Sequence, residues 1–155
     1  MTKTLFPRLI FLAAIGSGIT AGVFFAFSSF VIAALKRISP EQGVAVMNSI
    51  NVTVINPGFM SAFAGTALLC LLLSAGSLLK WNQEAARFAL IASLVYLIGT
   101  FGTTIVFNVP LNDKLAKQGV CFWQDYLATW SMWNHIRTVA AAVSAAMFSW
   151  ALYRY

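Results

Sequence analysis

Trp130, Trp133, Asn134, His135 and Arg137 bring several chemically capable side chains into one short segment. On a helix, Trp130, Asn134 and Arg137 at i, i+4 and i+7 share one face, and Trp133 also stands four residues before Arg137. A tryptophan face beside a guanidinium is a clamp for a flat aromatic or an anionic ligand. The alternative for Arg137 is structural, an ion pair with Asp113 or Asp125. His135 is the single histidine, and its side chain has an unperturbed pKa near neutrality. It suits a general base, or else a packed imidazole bonded to a backbone carbonyl.

Chemistry of other kinds finds few residues. One His, four acids and two cysteines cannot easily supply the three or more ligands of a catalytic metal. Gly16-x-Gly18-x-x-x-Gly22 follows no strand, so it is a membrane packing pattern and no dinucleotide fingerprint. The formal charge of +6 is scattered along the chain, not gathered into a stripe for a phosphate backbone, so no nucleic-acid partner is expected. Cys70 lies in an apolar run and Cys121 in a polar connection, so a disulfide between them is not expected.

The elements that hold these residues are set by hydrophobicity. Of the 155 residues, 60% are hydrophobic and 9% charged, against about 25% charged in a soluble domain. The lipid bilayer is therefore the expected solvent. A span takes about 20 mostly apolar residues. The expected spans are 9–35, 59–79, 88–108 and 133–153, in one transmembrane domain covering 1–155. The run from Leu9 to Leu35 is too long for a signal peptide of roughly 7–15 apolar residues and is expected to be a retained helix. Ser39-Pro40-Glu41-Gln42 reads as a helix start, and Pro57 disfavours helix at Asn56. Together they predict a short interfacial helix over 40–54. The fold class is thus all-α, an integral membrane four-helix bundle running up-down-up-down because its connections are short. Gly18, Gly22, Gly65, Gly99, Gly102 and the alanines from Ala140 to Ala146 are expected at the helix contacts.

This threading puts Asn48, Asn51, Asn56, Asn108, Asn112, Asn134 and His135 at one end of the bundle, with Asn82 at the other. Buried amides need partners, which a polar pocket at that end would supply; the alternative is an ordinary aromatic belt with capping asparagines. Basic residues divide evenly, with Lys3, Arg8, Lys80, Arg87 and Arg154 on the terminal face and Lys36, Arg37, Lys114, Lys117 and Arg137 opposite. Assigning Arg137 to the pocket tips the balance towards cytoplasmic termini. The expected location is a bacterial cytoplasmic membrane, and a homo-oligomer is compatible with the sequence.

Four motifs resemble the anthrone oxygenase-like family of small four-span membrane proteins. They are Ala21-Gly22-Val23-Phe24-Phe25-Ala26-Phe27-Ser28; Met47 through Asn51 with Asn56-Pro57; Gly99-Thr100-Phe101-Gly102 leading to Asn108-Val109-Pro110-Leu111-Asn112; and Trp130 with Trp133-Asn134-His135-x-Arg137. The resemblance implies the four-helix fold and, for some members, oxidation of anthrones to anthraquinones with O2 and no cofactor. It would make His135 the base, with Asn108, Asn112, Asn134 and Arg137 supplying hydrogen bonds to phenolic or carbonyl oxygens. Asn51 and Asn56 would join them in binding the substrate, and Trp130, Trp133, Phe24 and Phe27 would wall a hydrophobic aromatic small molecule. Two other readings use the same pocket face: a non-enzymatic binder of a quinone or lipid, and a subunit docking a partner membrane protein.

Overall fold

The computed structural model describes residues 4–155, and it is helical from end to end. Lys3, counted above on the terminal face, lies outside the described residues. Helix α1 runs Leu5–Leu35, widening to π-helical turns at Phe27–Val31. Helix α2 spans Pro40–Thr53. Ser39 caps it by accepting from the Gln42 backbone N–H at 3.4 Å, with Pro40 in the first turn. The Glu41 carboxyl is held below its ordinary value, first by its own backbone N–H and then by the Ser39 hydroxyl. Helix α3 spans Pro57–Leu78, and Asn56 caps it by accepting from Phe59 N–H at 3.1 Å.

The segment Glu84–Tyr153 is helical along nearly all of its 70 residues. It nonetheless makes two long helices, α4 (84–108) and α6 (Trp123–Tyr153), which pack side by side. Between them lie helix α5 (Val109–Gln118) and a tight turn, Gly119–Phe122. Gly119 closes α5 at φ +56°, a backbone region that favours glycine. The sequence places Cys121 in a polar connection and the last span at 133–153. In the structure α5 and the Gly119–Phe122 turn fill that connection, and α6 starts ten residues before the expected span. Pro110 sits in the first turn of α5, where its missing N–H costs nothing.

The four long helices form a ring in which α1 touches α3 and α6, and α4 touches the same two. This is an up-down-up-down bundle. Helices α2 and α5 and the Gly119 turn cover one end. At the opposite end the Phe6 and Tyr155 rings lie 6.2 Å apart and Lys80 stands 4.9 Å over Phe6, so the start of α1, the end of α6 and the α3–α4 turn meet there. Two cores fill the bundle. One, around Phe6, Ile10, Leu73, Tyr96 and Phe148, occupies the terminal half. The other, around Met47, Leu115, Trp123, Tyr126 and Trp130, lies under the covered end.

The outward faces are apolar, with Phe11, Ile19, Leu71, Leu79, Ile98 and Val139 among the exposed residues. Such a surface is expected when lipid is the solvent. Hydroxyls go inward. Tyr96 donates to the Phe63 carbonyl at 3.0 Å and lies 3.2 Å from Thr20, while Ser144 donates to the Ala92 carbonyl at 2.9 Å. These bonds tie α1, α3, α4 and α6 together, a useful device where helices gain no hydrophobic drive from meeting.

Of the glycines expected at helix contacts, Gly99 is at one, and Gly16 joins it. A Cβ on Gly99 would stand 2.6 Å from the Ala140 Cβ, and one on Gly16 would strike Thr66. Gly18, Gly22 and Gly65 face open space. The Gly18-x-x-x-Gly22 stripe therefore lines no close contact among the described residues. Cys70 is buried and Cys121 exposed, both as free thiols.

Candidate functional site

Between the two cores lies a buried cation. Arg137, on α6, is 6% exposed. Its Nε and Nη2 both donate to Asn134 Oδ1, at 2.9 and 2.8 Å, and Nη1 donates to Thr104 Oγ1 at 3.3 Å. Asn134 is itself held by donating to the Phe24 carbonyl at 2.9 Å and to Ser28 Oγ at 2.7 Å. Thr100 donates to the Arg137 carbonyl at 3.3 Å. The guanidinium is sandwiched, 3.9 Å from the Phe24 ring centre and 4.8 Å from that of Trp130, an arrangement that a planar cation favours.

Among the described residues no carboxylate pairs with Arg137; the ion pair found there is Arg154–Glu84 at 2.7 Å, near the chain ends. That contact raises the Arg154 pKa. A guanidinium carries five N–H groups, and the three bonds named leave two without a partner in the cradle.

Arg137 forms part of the wall of a cavity of about 580 Å³, within the roughly 300–1,000 Å³ typical of small-molecule sites. The bundle supplies Phe24, Phe27, Phe59, Phe63 and Trp130; Phe59 and Phe63 stack at 5.6 Å. The covering helix α2 supplies Met47, Asn48 and Asn51, and α5 supplies Asn112 and Asp113. Asp113 is exposed and marks the mouth, while Asn112 accepts from the buried Tyr126 hydroxyl at 2.9 Å. The result is a mostly apolar, aromatic chamber with one cation in its wall and amides and a carboxylate where α2 and α5 close over it.

The family model described as anthrone oxygenase matches residues 55–147, about three fifths of the chain. The chain belongs to the anthrone oxygenase family. No curated protein and no solved structure matches it. The matched stretch of this anthrone oxygenase family member runs from Ile55 through most of α6 and includes Arg137 and Asp113. It leaves out α1 and α2, which contribute Phe24, Phe27, Asn48 and Asn51 to the cavity wall.

The structure sorts the residues singled out from the sequence. Arg137, Trp130, Phe24, Phe27, Asn51 and Asn112 line the family member's cavity. Asn134 lies behind Arg137 and holds it. Asn108 is buried between helices, donating to the Trp130 carbonyl at 3.3 Å, and does not border the cavity. Asn56 is an exposed helix cap.

Trp133 stacks on Phe107 at 3.6 Å, so the clamp on Arg137 is made by Trp130 and Phe24 instead. Arg137 forms no ion pair with Asp113 or Asp125 within 4 Å. His135 is exposed and borders a separate cleft, so it does not border the same cavity as Arg137. The helix period explains this: one residue turns about 100°, so His135, two positions before Arg137, points nearly opposite to it.

Sequence reasoning passed over Thr104, Phe59, Phe63 and Asp113 as site residues. Asp113 follows Asn112 directly, and that adjacency was the available signal. Among the described residues no group of three or more His, Cys, Asp or Glu is placed to hold a metal ion.

Proposed function

We propose that this chain is a membrane oxygenase that takes an anthrone-like or phenolic aromatic into the α1–α6 cavity and oxidises it with O2 without a cofactor. The observation that carries this reading is the buried guanidinium, unpaired with any carboxylate among the described residues, in the wall of an aromatic chamber. An anthrone carries an acidic CH2 opposite a carbonyl. Removing one proton leaves a carbanion whose charge spreads onto the carbonyl oxygen. Arg137, with two N–H groups to spare, stabilises that oxyanion, and does so more strongly away from water.

The electron-rich carbon then gives its electrons to O2 and forms a C–O bond. Protonation yields a hydroperoxide. Loss of the second C–H proton with cleavage of the O–O bond gives C=O and water, so CH2 and O2 become C=O and H2O. Asp113 is the carboxylate on the cavity wall, and we assign it the role of base that His135 is badly placed to fill. Phe24, Phe59, Phe63 and Trp130 hold the flat rings and exclude water.

The test uses purified full-length protein in detergent, polyhydroxylated anthrones and air. The expected result is anthraquinone formation above the spontaneous rate, with one atom of 18O2 entering the new carbonyl. The rate should fall in Arg137→Met and Asp113→Asn and persist in His135→Ala. Turnover that survives both of the first two changes would remove the assigned roles. A second reading is a non-enzymatic binder of a quinone, supported by the exposed position of His135 outside the cavity. It predicts tight quinone binding with no turnover on any anthrone. The meeting of the chain ends at one end of the bundle supports a single-sided topology, and we place that side in the cytoplasm of a bacterial cell.

A further inference from the structure

A second concavity opens on the outer face of the bundle, between α1 and α6. It holds about 170 Å³ and is bordered by Lys36, His135, Ser28 and Ser131, with Ile32 and Phe27 as apolar walls. Its polar side chains are the Lys36 ammonium, the His135 imidazole, the Asn134 amide and two hydroxyls that already donate elsewhere, Ser131 to the Leu127 carbonyl and Ser28 to Thr138. The ammonium and the imidazole are therefore the donors it offers, and no carboxylate borders it. Such a set suits a compact oxyanion with several acceptor oxygens, as a phosphate has.

The depth is informative. Lys36 is the first charge after the uncharged run that begins at Leu9, and a lysine ending such a run marks the level of lipid headgroups. Val139, four residues after His135 and therefore on the same helix face, is exposed and lies towards the bundle's middle, where an acyl chain would lie. The concavity thus has a cationic, hydroxylated head at the interface and an apolar surface below it.

We propose that this outer cleft binds the phosphate of an anionic membrane lipid, with Lys36 and His135 on the phosphate oxygens and the chains along α6. The cleft backs onto the Arg137 cavity through Phe27 and Asn134 but opens on the outer face, and it does not depend on any reaction in that cavity. Attraction between basic side chains and anionic headgroups acts over about a Debye length, roughly 8–10 Å, from the headgroup level that Lys36 marks.

The experiment is native mass spectrometry of the full chain released from detergent, titrated with phosphatidylglycerol, phosphatidylcholine or inorganic phosphate. The expected result is saturable retention of one phosphatidylglycerol, at least tenfold weaker retention of phosphatidylcholine, and no displacement by equimolar inorganic phosphate. The double change Lys36→Gln with His135→Gln should weaken phosphatidylglycerol retention at least tenfold. Lys36→Glu, at an exposed position that leaves the core untouched, should do the same, whereas Lys36→Arg should retain it. Equal retention by wild type and Lys36→Glu would overturn the proposal. Displacement by equimolar inorganic phosphate would assign the cleft to a soluble anion and overturn the lipid reading.

Discussion

Replacing Arg137 by methionine separates what the guanidinium does for the fold from what it does for a ligand. Methionine fills similar space and carries no charge. On the side of the fold, the change removes a buried cation that has no carboxylate within 4 Å among the described residues. Holding an ion out of water costs several kcal/mol even after relaxation. Against that gain, Asn134 Oδ1 loses both of its donors, and a buried acceptor left without a partner costs about 1–3 kcal/mol. Thr104 keeps its other bond, to the Thr100 carbonyl at 2.8 Å. The melting temperature in detergent should therefore hold or rise.

On the side of the ligand, two hydrogen bonds from a charged donor are lost. At about 1.5–3 kcal/mol each, the loss is roughly 3–6 kcal/mol. At 1.4 kcal/mol per factor of ten, that weakens affinity by about 10²- to 10⁴-fold. The assay is quenching of tryptophan fluorescence by an oxidised, unreactive quinone analogue with an ionised phenol, read beside a thermal melt of the same sample. A variant that melts far below wild type while binding within tenfold of it would refute the reasoning. The guanidinium would then be a structural clamp between α1, α4 and α6.

Asp113→Asn should lower kcat on anthrones by about 10²–10⁴, the usual worth of a positioned general base, with quinone affinity changed less than threefold. Gly99→Ala should destabilise the bundle by about 1–3 kcal/mol, because α4 and α6 must separate to admit the methyl group; Gly65→Ala, facing open space, should not, and a thermal melt of the pair checks this. Ser39→Ala should cost α2 about 1 kcal/mol, read as faster hydrogen exchange in the first turn of that helix with the four long helices unchanged. Reporter fusions at the two chain ends should both report the cytoplasmic side.

The parts of this molecule legible in its sequence are those set by local periodicity or by capping chemistry. Trp130, Asn134 and Arg137 could be placed on one face because the helix period fixes it. Ser39-Pro40 and Asn56-Pro57 announce their helices through side chains that must satisfy backbone N–H groups. The four-helix architecture follows from apolar run lengths. The same helix period that joins Trp130 to Arg137 sets the His135 imidazole apart, on the outer cleft.

Other features depend on what the chain meets after folding. Nothing local distinguishes Gly16, pressed against Thr66, from Gly18, which faces open space. Helix α5 was hidden by its polarity, because a segment that covers the end of a bundle needs only a narrow apolar stripe, supplied here by Leu115. Phe59 and Phe63 read as ordinary span residues until α1 and α2 are brought beside them.

The wide π-helical turns of α1 and α4, at Phe27–Val31, Val95–Gly102 and Thr104–Asn108, lie where those helices pass the guanidinium. A π turn is an α-helix that has accepted one extra residue, and such turns recur at functional sites. The wide turn absorbs the extra residue locally, so the helix beyond it keeps its azimuth. Deleting a single residue from 95–102 would narrow the turn to plain α-helix and move the groups inside it, Thr100 and its bond to the Arg137 carbonyl among them, while the helix could still span. A one-residue insertion or deletion within such a turn can therefore reshape the wall beside the guanidinium with the lipid-facing pattern and the helix count kept.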